Sequence, residues 1–215
     1  TGDWYLQRKY EGNFLNDTIR KVWLSWVKNT ANNTWILADS IHFNIHGAPT
    51  ISWYKTWDPL SNTFVGGKLS EFVYNESGIL HLTYNHYFDT IDQSWERDNY
   101  EVIFYNQNNL DSLRQNYYWN GLSWIKDQQF QYTYTPKLYL EEELKETWDG
   151  VAWLNEKKWE HIYSDDLTDK IYEYSWQSAL GEWMYNRFSD FEYNPDETTY
   201  RITEYFWDGS DWLNT

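Results

Sequence analysis

Carboxylates are the most numerous reactive side chains in this sequence: 33 Asp and Glu stand against 17 Lys and Arg, for a formal net charge of −16. They are densest at Glu141, Glu142 and Glu143 and at Asp165 and Asp166. Two carboxylates at a fixed separation can serve glycoside hydrolysis as acid and base. No recurring sequence surrounds either run, so they read as a solvated strand edge and a solvated turn. His42 and His46, four residues apart, could share a strand face and offer a metal two imidazoles. No third ligand accompanies them, and ordinary polar roles fit better.

Gly66-Gly67-Lys68 lacks the glycine and hydroxyl positions of a phosphate loop. No serine lies in a Gly-x-Ser-x-Gly setting. The Asp-Gly dipeptides and residues 164–169 carry oxygen ligands suited to Ca²⁺, but neither EF-hand nor nonapeptide spacing is met. No cofactor is expected, with Ca²⁺ the one alternative. With no cysteine, thiol zinc sites, redox sites and disulfides are excluded. The expectation is a protein that is not an enzyme.

Aromatic side chains carry the remaining chemistry. There are 16 Trp and 20 Tyr in 215 residues, although mean hydropathy is −0.85. Exposed indole and phenol faces can stack on sugar rings. Aromatics that recur at fixed positions are expected to pack instead, because little else here can form a core. Trp23, Trp53, Trp159 and Tyr185 stand outside the recurring positions and are the ligand-binding candidates.

The elements that must position these groups follow from internal repetition. Anchor residues Trp4, Trp35, Phe64, Trp95, Trp124, Trp153, Trp183 and Trp212 are spaced 31, 29, 31, 29, 29, 30 and 29 apart. Ten residues after each of the first seven lie Phe14, Ile45, Tyr74, Tyr105, Tyr134, Tyr163 and Tyr193. Eight residues after them lie Gly12, Phe43, Phe72, Ile103, Tyr132, His161 and Phe191. Offsets of zero, eight and ten are even, so an unbulged strand would place all three on one face.

A second aromatic closes each unit: Trp26, Trp57, Phe88, Trp119, Trp148, Trp176 and Trp207. These precede the next anchor by 9, 7, 7, 5, 5, 7 and 5 residues, all odd. Residues facing each other across a hairpin with an even loop have odd separation, so each pair should be opposed on one face. The Asn-Gly and Asp-Gly steps at 120–121, 149–150 and 208–209 favour such turns, since glycine accepts positive φ. Polar turns near 75–78, 106–109, 164–169 and 194–197 close the other end, and 28–33 reads as a long loop.

The expected fold is all-β: an antiparallel meander of about seven tandem β-hairpins of 29–31 residues, forming a twisted or superhelical sheet, with a propeller or barrel as alternatives. Residues 1–215 read as one tandem-repeat domain, with a truncated eighth unit from 212 and further repeats expected in a longer protein. The acidic balance disfavours nucleic acid. No apolar run is long enough for a membrane helix.

The segments Trp148-Asp149-Gly150, Trp153-Leu154-Asn155, Tyr163, Trp207-Asp208-Gly209 and Trp212-Leu213-Asn214 resemble aromatic, YD-like hairpin repeats of secreted and cell-surface proteins of Bacteroidota, which often travel by type IX secretion. Tyr-Asp is replaced here by Tyr74-Asn75, Tyr105-Asn106, Tyr193-Asn194 and Tyr134-Thr135. The resemblance implies an extracellular or cell-surface repeat module acting as spacer, adhesin or filament segment. Its partners would be other repeats of the same or neighbouring chains. A carbohydrate-binding module acting on polysaccharide is the alternative, with neither nucleic acid nor membrane insertion expected.

Overall fold

The computed structural model of the chain describes residues 8–14, 20–29, 33–58, 61, 63–196 and 198–214. Fifteen strands make up this structure: β1 (Arg8–Phe14), β2 (Arg20–Asn29), β3 (Thr34–Phe43), β4 (Pro49–Asp58), β5 (Thr63–Tyr74), β6 (Leu80–Asp89), β7 (Ser94–Tyr105), β8 (Asp111–Trp119), β9 (Trp124–Tyr134), β10 (Leu140–Trp148), β11 (Trp153–Ser164), β12 (Leu167–Gln177), β13 (Glu182–Tyr193), β14 (Thr199–Trp207) and β15 (Trp212–Asn214). They hydrogen-bond in sequence order as one open antiparallel meander with β1 and β15 at its ends. Barrel closure and separate propeller blades are therefore both ruled out. β15 opens on the eighth anchor, Trp212. The anchor Trp4 and residues 30–32 of the loop expected at 28–33 lie outside the described residues, while Lys28 and Asn29 belong to β2.

By contacts the chain forms two compact units, Thr1–Val102 with Tyr117–Ile125, and Ile103–Asn116 with Lys126–Thr215. In the first unit, Trp57–Phe64, Phe88–Trp95 and Trp119–Trp124 meet edge to face with centroids 5.1, 5.2 and 5.1 Å apart. In the second, Trp148–Trp153, Trp176–Trp183 and Trp207–Trp212 do the same at 5.2, 5.1 and 5.2 Å. The odd-separation rule thus holds for six hairpins. It fails for Trp26 and Trp35, which face Leu37 and Lys28, because the hairpin closes on Asn29 opposite Thr34 and so runs two residues out of the register that would oppose them. There Lys28 covers Trp35 instead, at 5.6 Å from the ring centroid.

Two recurring β-bulges reshape the pattern. One places an unpaired residue three positions after the anchor: Ala38 in β3, Asp98 in β7, Glu156 in β11 and Asn186 in β13. The second adds a residue near the start of the even strands: Lys21, Thr50, His81, Glu141 and Asp169. A single-residue bulge reverses which side chains face which way. Anchor residues and the residues eight and ten positions later therefore do not share one face.

The first strand of the second repeat is also two residues shorter than those of the third and fourth. Phe43, not Ile45, ends β3 and occupies the place that Tyr74 holds in β5. Asn44 then starts the turn, its Oδ1 accepting from His46 N at 2.9 Å and Ala48 N at 3.0 Å. Ile45 lies in that turn, 65% exposed.

The tyrosines that end the odd strands lace neighbouring repeats together. The hydroxyl of Tyr74 donates to Pro49 O at 2.6 Å, Tyr134 to Asp111 O at 2.8 Å, Tyr163 to Leu140 O at 2.8 Å and Tyr193 to Thr168 O at 2.7 Å. Each bond ties the end of one odd strand to the start of the preceding even strand, at the end of that strand pair remote from its aromatic turn. Among the described residues only Val27, Ala38, Phe88, Ile103, Ser25, Ser40, Gln129, Glu146 and Glu173 are buried. With so few sealed side chains, cross-strand contacts supply most of the stabilisation.

Candidate functional site

The four ligand candidates do not converge. In the first unit Trp23 stacks on Tyr10, with centroids 5.6 Å apart, and Trp53 leans on Trp95 at 6.5 Å. In the second unit Tyr185 packs between Tyr174, Trp207 and Trp212 at 4.9, 5.9 and 5.4 Å, on the face of the aromatic pairs. Trp159 is opposed to Glu143 and Glu173, so it faces the other way. Tyr185 and Trp53 thus touch other aromatics, Tyr185 remaining 46% exposed, and of the four Trp159 borders a polar depression.

Cations lie over several rings of the aromatic face. Lys55 Nζ lies 3.8 Å from the Phe88 ring centroid, Arg97 4.6 Å from Trp119, Lys126 4.2 Å from Trp148 and Lys158 4.6 Å from Tyr174. A cation over an aromatic face contributes about 0.5–1 kcal/mol at exposed sites. Among the described residues seven basic residues are used this way, Lys9 over Trp26, Lys28 over Trp35 and Lys157 over Trp159 being the others.

The depression beside Trp159 has a volume of about 270 Å³ and is lined by Glu143, Trp159, His161, Ile171, Glu173, Arg187 and Ser189. Its residues come from β10, β11, β12 and β13. Cross-strand register puts Glu143, Trp159, Glu173 and Arg187 on a single rung. Glu173 is 3% exposed. Its Oε1 accepts from Lys157 Nζ and from Asn186 Nδ2, both at 2.8 Å. Its Oε2 accepts from Arg187 Nε at 2.8 Å and Trp159 Nε1 at 3.3 Å. Burial works to raise the Glu173 carboxyl, but the hydrogen bonds from Lys157, Arg187 and Asn186 outweigh it and hold the group at about 2.

Burial pushes Glu143 up, against the pull of Arg114, and pushes His161 down. The depression therefore holds one carboxylate fixed in the charged form, one carboxyl biased toward neutrality and an imidazole biased toward neutrality. Glu173 is a poor proton acceptor, since both oxygens are saturated with donors. The surface left to a ligand is the Trp159 indole with polar groups at its rim.

The other sequence candidates go elsewhere. β3 ends before His46, so His42 and His46 do not share a strand face. Asp165 and Asp166, at φ 49° and 69°, form a two-residue turn between Ser164 and Leu167, tighter than the six-residue turn expected, and Lys137 pairs with Asp166. Glu141 is a bulge residue, and Glu142 lies 3.7 Å from Lys158. Asp149 and Asp208 cap their turns, each Oδ1 accepting two backbone N–H groups at 2.8 Å, and these bonds hold both carboxyls low. Among the described residues no three His, Asp or Glu side chains gather as metal ligands.

Glu173, Arg187, Lys157 and Asn186 were not singled out from the sequence. Arg187 is 14 residues from Glu173 and Lys157 is 16, and the bulges set their register. The one available signal is positional: Arg187 follows its anchor by four residues, and Glu173 precedes its closing aromatic by three.

Fold and site define an all-β protein of tandem aromatic hairpins. No known family profile matches the chain, and no curated protein matches it. Solved structures with some likeness include a DUF3836 family protein of Bacteroides vulgatus, 14% identical, covering 41% of this chain and 90% of that one with a TM-score of 0.37. A protein of unknown function from Bacteroides fragilis is 10% identical, covering 89% and 95%, with a TM-score of 0.23. A porin-like protein of Bacteroides uniformis is 7% identical, covering 97% and 92%, with a TM-score of 0.38.

Proposed function

We propose that this chain is a non-enzymatic extracellular repeat module, serving as a spacer, adhesin or filament segment. The observation that carries the reading is the use made of the recurring residues. At joint after joint they go into connecting one hairpin to the next: the edge-to-face aromatic pair at one end and the tyrosine bond to a backbone carbonyl at the other. No group of potential catalytic residues recurs with the repeat. The one buried carboxylate of the depression, Glu173, is saturated by donors. An extracellular site follows from the resemblance to secreted YD-like repeats. Antibody labelling of intact cells tests it: signal without permeabilisation is expected, and signal only after lysis overturns it.

A second reading, carbohydrate binding, is favoured by Trp159 alone. Its indole borders a depression with Ser189, His161 and Arg187 on the rim. The net charge of −16 points to neutral glycans in preference to anionic ones. A glycan array that retains neutral polysaccharide, with retention lost in Trp159→Ala, is the outcome that supports it. An array with no binder removes it.

A further inference from the structure

Four carboxylates of β10, β11 and β12 are met by hydrogen-bond donors. Glu146 accepts from Gln129 and Gln131, and Glu156 from Lys145 and Thr147. Glu160 accepts from Lys158 and Tyr174, and Glu173 from its four donors. Glu143, half-buried in the depression beside Trp159, accepts no hydrogen bond among the described residues, and Arg114 acts on it only as a nearby charge. An ionised carboxylate has acceptor oxygens and no donor, so its burial calls for donors from elsewhere.

The register places Glu143 between Tyr132 of β9 and Trp159 of β11, on the face that Glu173 shares. The indole N–H of Trp159 goes to Glu173, so the indole offers a ligand its ring alone. One pair further along, His161 and Ser189 are both opposed to Ile171, which sets an aliphatic side chain between an imidazole and a hydroxyl. A volume of about 270 Å³ lies below the roughly 300–1,000 Å³ of sites for larger ligands, and suits one ring better than a chain of rings. Charge narrows the choice. Lys157 Nζ stands 5.9 Å from the Trp159 centroid and Arg187 lines the rim, which disfavours an ammonium group. Glu143 and Glu173 disfavour an anion. A neutral ring rich in O–H donors answers both conditions.

We infer that Glu143 orients one neutral sugar ring, its carboxylate accepting hydrogen bonds from two adjacent ring hydroxyls while the ring lies against Trp159. The inference rests on the carbohydrate reading above, and gives that site a ligand class and a specificity-determining residue. The ligand supplies the two donors that the fold withholds from Glu143. The ionised carboxylate is the accepting form, and burial pushes this group up. Affinity is therefore full above the raised Glu143 value and falls as pH drops through it. Arg114, Tyr132, Lys157, Glu173, Arg187 and His161 are the charged and titratable groups around it. Of these His161 is the other whose charge changes in mild acid.

Ligand-observed saturation-transfer NMR titrations of the 215-residue chain test this. Glucose, galactose and mannose serve as neutral probes, glucosamine and glucuronate as charged ones. A neutral probe is expected to bind more tightly than either charged sugar, and to weaken between pH 7 and pH 5. Glu143→Gln is expected to lower its affinity roughly tenfold and to remove the pH dependence. Far-UV circular dichroism and the melting temperature confirm that the variant folds. Wild type that binds none of the neutral probes, equal binding by wild type and Glu143→Gln, or a charged sugar held most tightly overturns the inference. A pH dependence that persists in Glu143→Gln belongs to His161 and overturns it too. The carbohydrate reading survives each of these outcomes as long as the array retains polysaccharide and Trp159→Ala abolishes that retention.

Discussion

Replacing Glu173 by Gln removes a charge without changing shape. In the wild type that charge receives hydrogen bonds from Lys157, Arg187 and Asn186, each at 2.8 Å. The carboxyl titrates at about 2 against an ordinary 4.5. At 1.36 kcal/mol per pH unit this difference sets a ceiling of about 3 kcal/mol. Lys157 and Arg187 are 38% and 42% exposed, so water screens both. The screened contribution is about 1.5 kcal/mol. A group held low in the folded state stabilises it fully above its unfolded value near 4.5, and that stability is lost as pH falls toward 2. Urea unfolding followed by tryptophan fluorescence at pH 7, 5, 3.5 and 2.5, on wild type and Glu173→Gln, measures the difference directly. The expected gap is constant between pH 7 and 5 and shrinks below that. A gap within experimental error at pH 7, or one that does not narrow in acid, refutes the reasoning.

Three further outcomes follow from the joints between repeats. Tyr163→Phe deletes the bond to Leu140 O and is expected to cost about 1 kcal/mol in chemical denaturation, with Tyr193→Phe adding a similar independent amount. Gly67→Ala would put a Cβ 2.4 Å from the Tyr54 carbonyl oxygen and 3.1 Å from Lys55 Cα. Both neighbours are backbone, so an overpacking cost of about 1–3 kcal/mol is expected as a fall in melting temperature. Lys126→Gln removes the cation 4.2 Å from the Trp148 centroid and is expected to lose about 0.5–1 kcal/mol, with changed emission from the Trp148–Trp153 pair.

The repeat, the strand assignment and the facing of six aromatic pairs were legible in the sequence. Each depends on short-range chemistry: a turn such as Asp149-Gly150, where glycine takes φ 103°, and an even loop that fixes the parity of Trp148 and Trp153. What lay beyond it was the bulges. Ala38, Asp98, Glu156 and Asn186 share no residue type, so nothing in their chemistry announces an extra residue in the strand. Yet each reverses the faces of the side chains after it. That reversal separates Trp159 from Tyr185 and sets Glu173 beside Arg187. Local periodicity and turn chemistry determine that this chain is a meander of aromatic hairpins. Register across strands, which only the tertiary structure decides, determines which of its polar residues meet.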